Sequence, residues 1–338
     1  MEIKETNDIF LLTGAGFTKN FGGFLATEMW SQIFNDSRIQ NNEKLRSLLQ
    51  NNFDFESVYS EVVDSSRYSE EEKNVVRESV QNAYKKLDDA TRHWKFNSTS
   101  PHPVNIYGLG DLFNKIWASS YSKPAIFFTL NQDLFVERRW GHPSPGAPRF
   151  KQEFYQLDGR ELNSSEFVTL PSENVEEAVV KGLSSHNGIH YIKLHGSYGW
   201  RSSNGTNQLV IGTNKESLIK SEPLLRSYFD LLKNVIGENN KKIVIIGYGF
   251  HDAHINNVLV KGVEDHNLKI YIVSTQSPQD LKLHLQNANY KINGVGHIRS
   301  GGIWKGVHGY FPYSLKDFFP GNQEKTIYFD QLITALKS

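Results

Sequence analysis

The sequence predicts an α/β domain built on an open parallel sheet flanked by helices. Three observations carry that expectation. Five short apolar runs are each followed at once by small or polar residues, the stretch between the first two runs has helical periodicity, and no repeat, heptad array or low-complexity tract competes. The runs are Ile9 to Leu12, Ala125 to Leu130, Tyr191 to Leu194, Ile243 to Ile246 and Ile270 to Val273. Their hydrophobicity is continuous rather than alternating, as in strands buried on both faces beneath helices. A chain of 338 residues, 38% hydrophobic and 12% aromatic, can bury a core of that size without covalent staples.

The first run follows a mixed-charge start, Met1 to Asp8, unlike the basic and then apolar start of a signal peptide. No later apolar run reaches the about 18 residues of a membrane span, so a cytoplasmic protein without a membrane segment is expected. Residues 37–118 read as a helical insertion. Leu45, Leu48 and Leu49 form one amphipathic pattern, and Val75, Val76, Val80 and Tyr84 form another, entered through a capping box at Ser69-Glu70-Glu71-Glu72. Asn97 to Pro103 and Gly141 to Pro148 have loop composition, and the second is long enough to be a lid. After a body spanning residues 1–293, residues 294–338 are rich in aromatics and Gly and end in a short helix. They read as an extension packed on the core or used in assembly.

Composition also removes whole classes of function. The 37 Lys and Arg balance 37 Asp and Glu, so no broad electrostatic capture of nucleic acid or of an anionic membrane is expected. With no cysteine there is no disulfide framework, no thiol nucleophile and no thiolate zinc ribbon.

In an open parallel sheet, ligands bind outside the carboxyl ends of the strands, so the residues just after each run are the informative ones. The first run leads into Thr13-Gly14-Ala15-Gly16-Phe17-Thr18, whose glycines permit close backbone approach ahead of a helix start. It lacks the third glycine of the usual dinucleotide fingerprint and, alone, reads more readily as a tight turn than as a nucleotide loop. The second run leads into Asn131-Gln132-Asp133 and the third into His195-Gly196-Ser197. An amide, a carboxylate and an imidazole at neighbouring strand ends can share one crevice and supply a group that titrates near neutrality. Singly, Asn131 and Asp133 have the ordinary explanation of helix caps, and His195 that of a core histidine. The fourth run leads into Gly247-Tyr248-Gly249-Phe250-His251-Asp252-Ala253-His254, with Asp252 placed as a helix N-cap. His251 and His254 have a metal-like i,i+3 spacing but no nearby Cys or second carboxylate pair, and no metal is expected. The fifth leads into Ser274-Thr275-Gln276, suited to a ribose or base contact or to a plain turn.

Taken in order, these motifs resemble the sirtuin-like NAD-binding family: Gly14-Ala15-Gly16-Phe17-Thr18, Thr129-Leu130-Asn131-Gln132-Asp133, Leu194-His195-Gly196-Ser197 and Gly247-Tyr248-Gly249. The resemblance spans roughly Ile9 to Thr275 and implies a Rossmann-like fold. Protein-deacylating members carry a four-Cys zinc module and a Pro-Asp-Phe-Arg-like segment after the first loop. This chain has no Cys and reads Phe21 to Trp30 at that place. Asp54-Phe55-Glu56-Ser57-Val58-Tyr59 in the insertion and the Gly247-Tyr248-Gly249-Phe250-x-Asp252 turn look more like the zinc-free bacterial branch, which commonly hydrolyses NAD in anti-phage defence.

The resemblance implies NAD as substrate. On that reading Asn131 positions the nicotinamide ribose and the attacking water, His195 contacts ribose hydroxyls as general base, and Asp133 orients the site or holds the nicotinamide end. Gly14, Ala15, Gly16 and Thr18 hold the pyrophosphate, and Gly247, Tyr248 and Ser274 line the adenosine side. It further implies control by homo-oligomerisation or by a separate partner such as a HerA-type ring ATPase. Two alternatives stay open: a module that senses NAD or ADP-ribose without turnover, and an NAD-dependent protein deacylase.

Overall fold

The structure is a computed structural model of the chain. It describes residues 5–92, 104–117, 123–140, 150–151, 168–185, 189–202, 207–287, 289–291, 297–299, 301–321 and 325–337. The expected loops at Asn97 to Pro103 and Gly141 to Pro148 lie outside these residues.

All five apolar runs are strands of one parallel sheet: Ile9–Thr13, Ala125–Thr129, Ile189–Lys193, Lys242–Ile246 and Lys269–Val273. A sixth, Val307–Phe311, joins in parallel beside Lys269–Val273, and the two-residue segment Phe150–Lys151 extends the opposite edge. Ile9–Thr13 lies at the middle, paired with Ala125–Thr129 on one side and Lys242–Ile246 on the other, with Thr13 in register with Thr129 and Ile246. The strands therefore end level, and the polar residues that follow them meet along one rim. This is a Rossmann-like α/β fold.

The continuous apolar runs supply both faces of the sheet. Phe10, Leu12, Phe128, Ile243, Ile245 and Ile270 pack into one core with the helices Pro223–Ile236 and Ala253–His266. Leu11, Phe127, Val244, Ile246 and Tyr271 pack into the other with Ile106–Ile116 and Ile327–Lys337. The alternation of side chains along each strand divides one apolar run between two cores. The C-terminal segment takes part in the second core through Phe329 and Leu332, besides donating the edge strand.

The insertion is helical where it is described, with the longest helix at Glu70–Arg92. Its capping box is present: Ser69 N donates to Glu72 Oε2 at 2.7 Å, and Glu72 N donates to Ser69 Oγ at 3.2 Å. Leu45, Leu49, Val76, Val80 and Tyr84 form a third apolar cluster together with Ile211, which lies just beyond the short strand Asn207–Leu209. The insertion thus rests on the chain that follows His195 and is positioned to reach the rim of the sheet. Among the described residues, no helix is long and apolar enough to cross a membrane.

Candidate active site

The turns after the first and fourth runs close on one another, and this is what their glycines are for. A Cβ on Gly16 would lie 2.8 Å from Gly247 Cα, and one on Gly247, where φ is +65°, would lie 2.4 Å from Gly16 C. Gly14 N donates to Ile246 O at 3.1 Å and Gly16 N to Gly247 O at 2.9 Å. These glycines let two loops close on each other, with the Gly14 amide bonded to the end of the fourth run and the Gly16 amide to the facing loop, and Gly14, Gly16 and Gly247 all still line the cavity above them.

Above the joined turns opens a cavity of about 1780 Å3. The strand-end residues that the resemblance assigns to NAD line it: Gly14, Ala15, Gly16, Thr18, Asn131, Asp133, His195, Gly247, Tyr248 and Ser274. Parallel pairing in register brings together residues as distant in sequence as Gly14 and Ser274.

Asn131 is held from beneath. Thr13 Oγ1 donates to Thr129 Oγ1 at 2.8 Å, and Asn131 N also donates to Thr129 Oγ1, at 3.0 Å. The Asn131 side-chain amide reaches Thr18 Oγ1 at 3.5 Å, linking the first and second strand ends. Gln132 braces the third, its Nε2 donating to His195 O at 2.9 Å and to Val210 O at 3.1 Å. Asp133 Oδ1 accepts from Phe135 N at 3.0 Å, so this side chain has the capping part that its position allowed. Burial raises the Asp133 carboxyl, with nearby Lys193 pulling the other way.

Behind this turn lies a buried ion pair. Lys193 is fully buried; its ammonium donates to Glu137 Oε1 at 2.7 Å and also to Asp133 O. Burial raises the Glu137 carboxyl, opposed by Lys193. Arg138 makes paired 2.8 Å hydrogen bonds to both carboxylate oxygens of Asp88, tying the helix after Asp133 to the insertion.

His195 is buried, and its Nε2 lies 2.9 Å from Nε2 of His254. Sequence spacing paired His254 with His251. The fold separates them: the His251 ring packs against His284 at 4.7 Å. Burial holds the His195 imidazole well below its ordinary range and brings His254 down to about 4. Asp252 begins the helix that carries His254, but its side chain does not cap that helix. Its Oδ1 instead accepts from Lys215 Nζ at 2.7 Å, and Lys215 also meets Glu56 Oε2 at 2.7 Å. Burial would raise the Asp252 carboxyl, but Lys215 and the imidazoles outweigh it and hold it below the usual carboxylate range. Glu56 is raised to about 6 by burial, against the pull of Lys215.

His195, Asp252 and His254 place their donor atoms within 4.8 Å of one another, a set of the types that bind divalent metals. Here Asp252 already faces an ammonium, and the two ring nitrogens meet at hydrogen-bond distance. Asp252 is thus partnered by Lys215 and the two imidazoles by each other.

Two of the expected lining residues also have structural duties. Tyr248 Oη donates to Asn256 Oδ1 at 3.0 Å and accepts from Asp252 N at 3.2 Å, pinning the loop. Ser274 Oγ accepts from Gln276 N at 3.2 Å. Sequence reasoning gave no part to Lys215 and treated Glu56 only as a segment of the insertion. Neither carries a periodic or motif signal that points to the rim, and only the fold brings them to Asp252.

A family model for the SIR2-like domain matches residues 125–293, half of the chain, and the chain belongs to this family. The match runs from the second strand past the fifth and contains Asn131, His195, Asp252 and His254. No curated protein matches the chain.

Proposed function

We propose that this SIR2-like chain is an NAD hydrolase that cleaves the nicotinamide–ribose bond, releasing nicotinamide and ADP-ribose. The observation that carries the reading is the convergence of Asn131 and His195 on one cavity, with every strand-end residue that the family resemblance assigns to NAD. At about 1780 Å3, the cavity exceeds the roughly 300–1,000 Å3 of ordinary small-molecule sites and has room for a dinucleotide.

In this reading Asn131 orients the nicotinamide ribose and a water molecule, its amide steadied by Thr18. The C1′–N bond breaks with its electron pair going to nicotinamide, which leaves neutral. Positive charge develops on the ribose, and the water oxygen bonds to C1′. The proton lost by water passes to His195 and then to solvent. His195 suits a base because burial, helped by the charge of Lys215, keeps the imidazole neutral. Asp133 keeps the turn in shape through its bond to Phe135 N, while Ala15, Thr18, Gly247, Tyr248 and Ser274 bound the space for the remainder of NAD.

The missing thiolate zinc module and the altered segment Phe21 to Trp30 favour water over an acyl-lysine as acceptor. Unrestrained NAD hydrolysis is toxic, which fits the effector of a bacterial anti-phage system that depletes NAD in abortive infection. Control would come from homo-oligomerisation or from a partner such as a HerA-type ring ATPase. The test is nicotinamide release from NAD by the purified chain, beside Asn131→Ala and His195→Ala. Loss of turnover in both variants supports the assignment, and retained turnover in both sinks it.

A further inference from the structure

A neutral imidazole has one N–H and one lone pair. Where His195 and His254 meet Nε2 to Nε2 at 2.9 Å, one ring donates and the other accepts. If His195 accepts, its lone pair is spent on His254 and it has none left to take a proton. A basic His195 is therefore the donor at Nε2, with its lone pair at Nδ1, and His254 is the acceptor.

We propose that His254 is the positioning residue of the hydrolytic centre, holding His195 in the Nε2–H tautomer so that Nδ1 is the base. The anionic Asp252, anchored by Lys215, which Glu56 also holds, is the counter-charge when the pair takes up a proton. This rests on the hydrolase reading above and extends it to residues that reading does not use.

The surroundings of the pair support this division of work. Asp252 contributes from the start of the same helix as His254, and Lys215 and Glu216 from the helix Lys215–Ser221; Phe229 closes the apolar side, its ring 5.7 Å from that of His254. Glu56 reaches in from the insertion through Lys215. The carboxylate of Asp252 lies within 4.8 Å of both imidazoles. A proton arriving at His195 Nδ1 lets the Nε2 proton shift toward His254, so one positive charge is spread over two rings facing one carboxylate. A second proton would place two cations 2.9 Å apart, so the pair takes up one proton and titrates as a unit. The proton gained equals the one lost by the attacking water, and it leaves to solvent after nicotinamide departs.

The test compares wild type, His254→Gln and His254→Phe, using NAD turnover across pH and 15N spectra of the imidazole nitrogens. The Gln carbonyl still accepts from His195 Nε2–H, whereas Phe offers no acceptor. The expected result is a kcat lower by about a hundredfold in His254→Phe with KM little changed, the low end of what a general base supplies. His254→Gln should recover much of that loss, with the acid limb of kcat/KM about one pH unit lower because the second imidazole no longer shares the charge. The spectra should show His195 protonated at Nε2 in wild type and in His254→Gln, and a tautomer mixture in His254→Phe. Unchanged kcat, pH profile and tautomer in His254→Phe overturn the proposal while leaving the hydrolase reading intact. If wild type turns over no NAD, alone or with any co-encoded partner, the hydrolase reading fails, and a wild-type His195 protonated at Nδ1 overturns the pairing itself.

Discussion

Two paired lysines, one wholly buried and one partly buried, stand on either side of the candidate site, and they serve it differently. Lys193 is wholly buried in the third strand and gives its ammonium to Glu137 and to the Asp133 carbonyl, behind the Asn131 turn. Lys215 lines the cavity and bridges Asp252 and Glu56, facing the two imidazoles. The first makes a sealed contact that shapes a turn. The second sets the electrostatics of a wall that a substrate would touch. An ion pair is common to both, so it marks no function by itself; what distinguishes them is access to the cavity. The insertion binds the helix that carries Glu137 through Asp88 and Arg138 on the rear side, and Lys215 itself through Glu56 on the cavity side.

The contrast predicts that chemistry and stability separate between the two walls. The largest effect should be on turnover: His195→Ala or Asn131→Ala should lower kcat by about a hundred- to ten-thousand-fold while leaving the denaturation midpoint near that of wild type. A matched loss of stability in both variants would assign them to the core instead. Next in size, Lys193→Met should destabilise the chain by about 3–5 kcal/mol in urea unfolding, because the Glu137 charge is left buried without its partner. The double change Lys193→Met with Glu137→Leu should recover most of that loss. If Lys193→Met unfolds like wild type, the rear pair is no anchor.

Titration sharpens the same comparison. His254 has a folded pKa of about 4, below its ordinary 6.5, so its contribution is present above pH 6.5 and lost as pH falls through about 4. Glu56, raised to about 6, acts in the opposite sense: its contribution is present below pH 4.5 and lost as pH rises through about 6. Unfolding free energy measured between pH 7 and pH 4 should therefore fall less steeply in His254→Gln than in wild type, and equal slopes would contradict the placement of a buried neutral imidazole. The smallest effect belongs to Tyr248→Phe. It removes a hydroxyl bonded to Asn256 and Asp252 and should cost about 1 kcal/mol, with turnover largely kept. A collapse of activity there would give Tyr248 a direct part in binding.

Much of the sheet is legible in the sequence because its five inner strands are buried on both faces and so read as unbroken apolar runs. Val307–Phe311 escapes that signal. It is an edge strand containing His308 and Gly309, and four of its five residues are partly or fully exposed. The strand ends are legible for a related reason: each run stops where polar residues begin, and a parallel sheet gathers those stops on one rim. His195 and Asn131 could thus be named from sequence. The link from His195 to His254 could not, because it joins residues 59 apart on different elements, and the i,i+3 spacing pointed His254 toward His251 instead. Glycine was legible in part: Gly14, Gly16 and Gly247 line the cavity, and their lack of a Cβ also lets two loops close on each other, a contact no motif announced.

The measurement that bears most directly on the central claim is nicotinamide release and NAD loss by the purified wild-type chain, with His195→Ala in parallel, alone and with any co-encoded partner. The account predicts turnover by wild type in at least one of these assemblies and its loss in the variant. NAD binding with no nicotinamide released in any assembly would contradict it and favour a module that senses the dinucleotide.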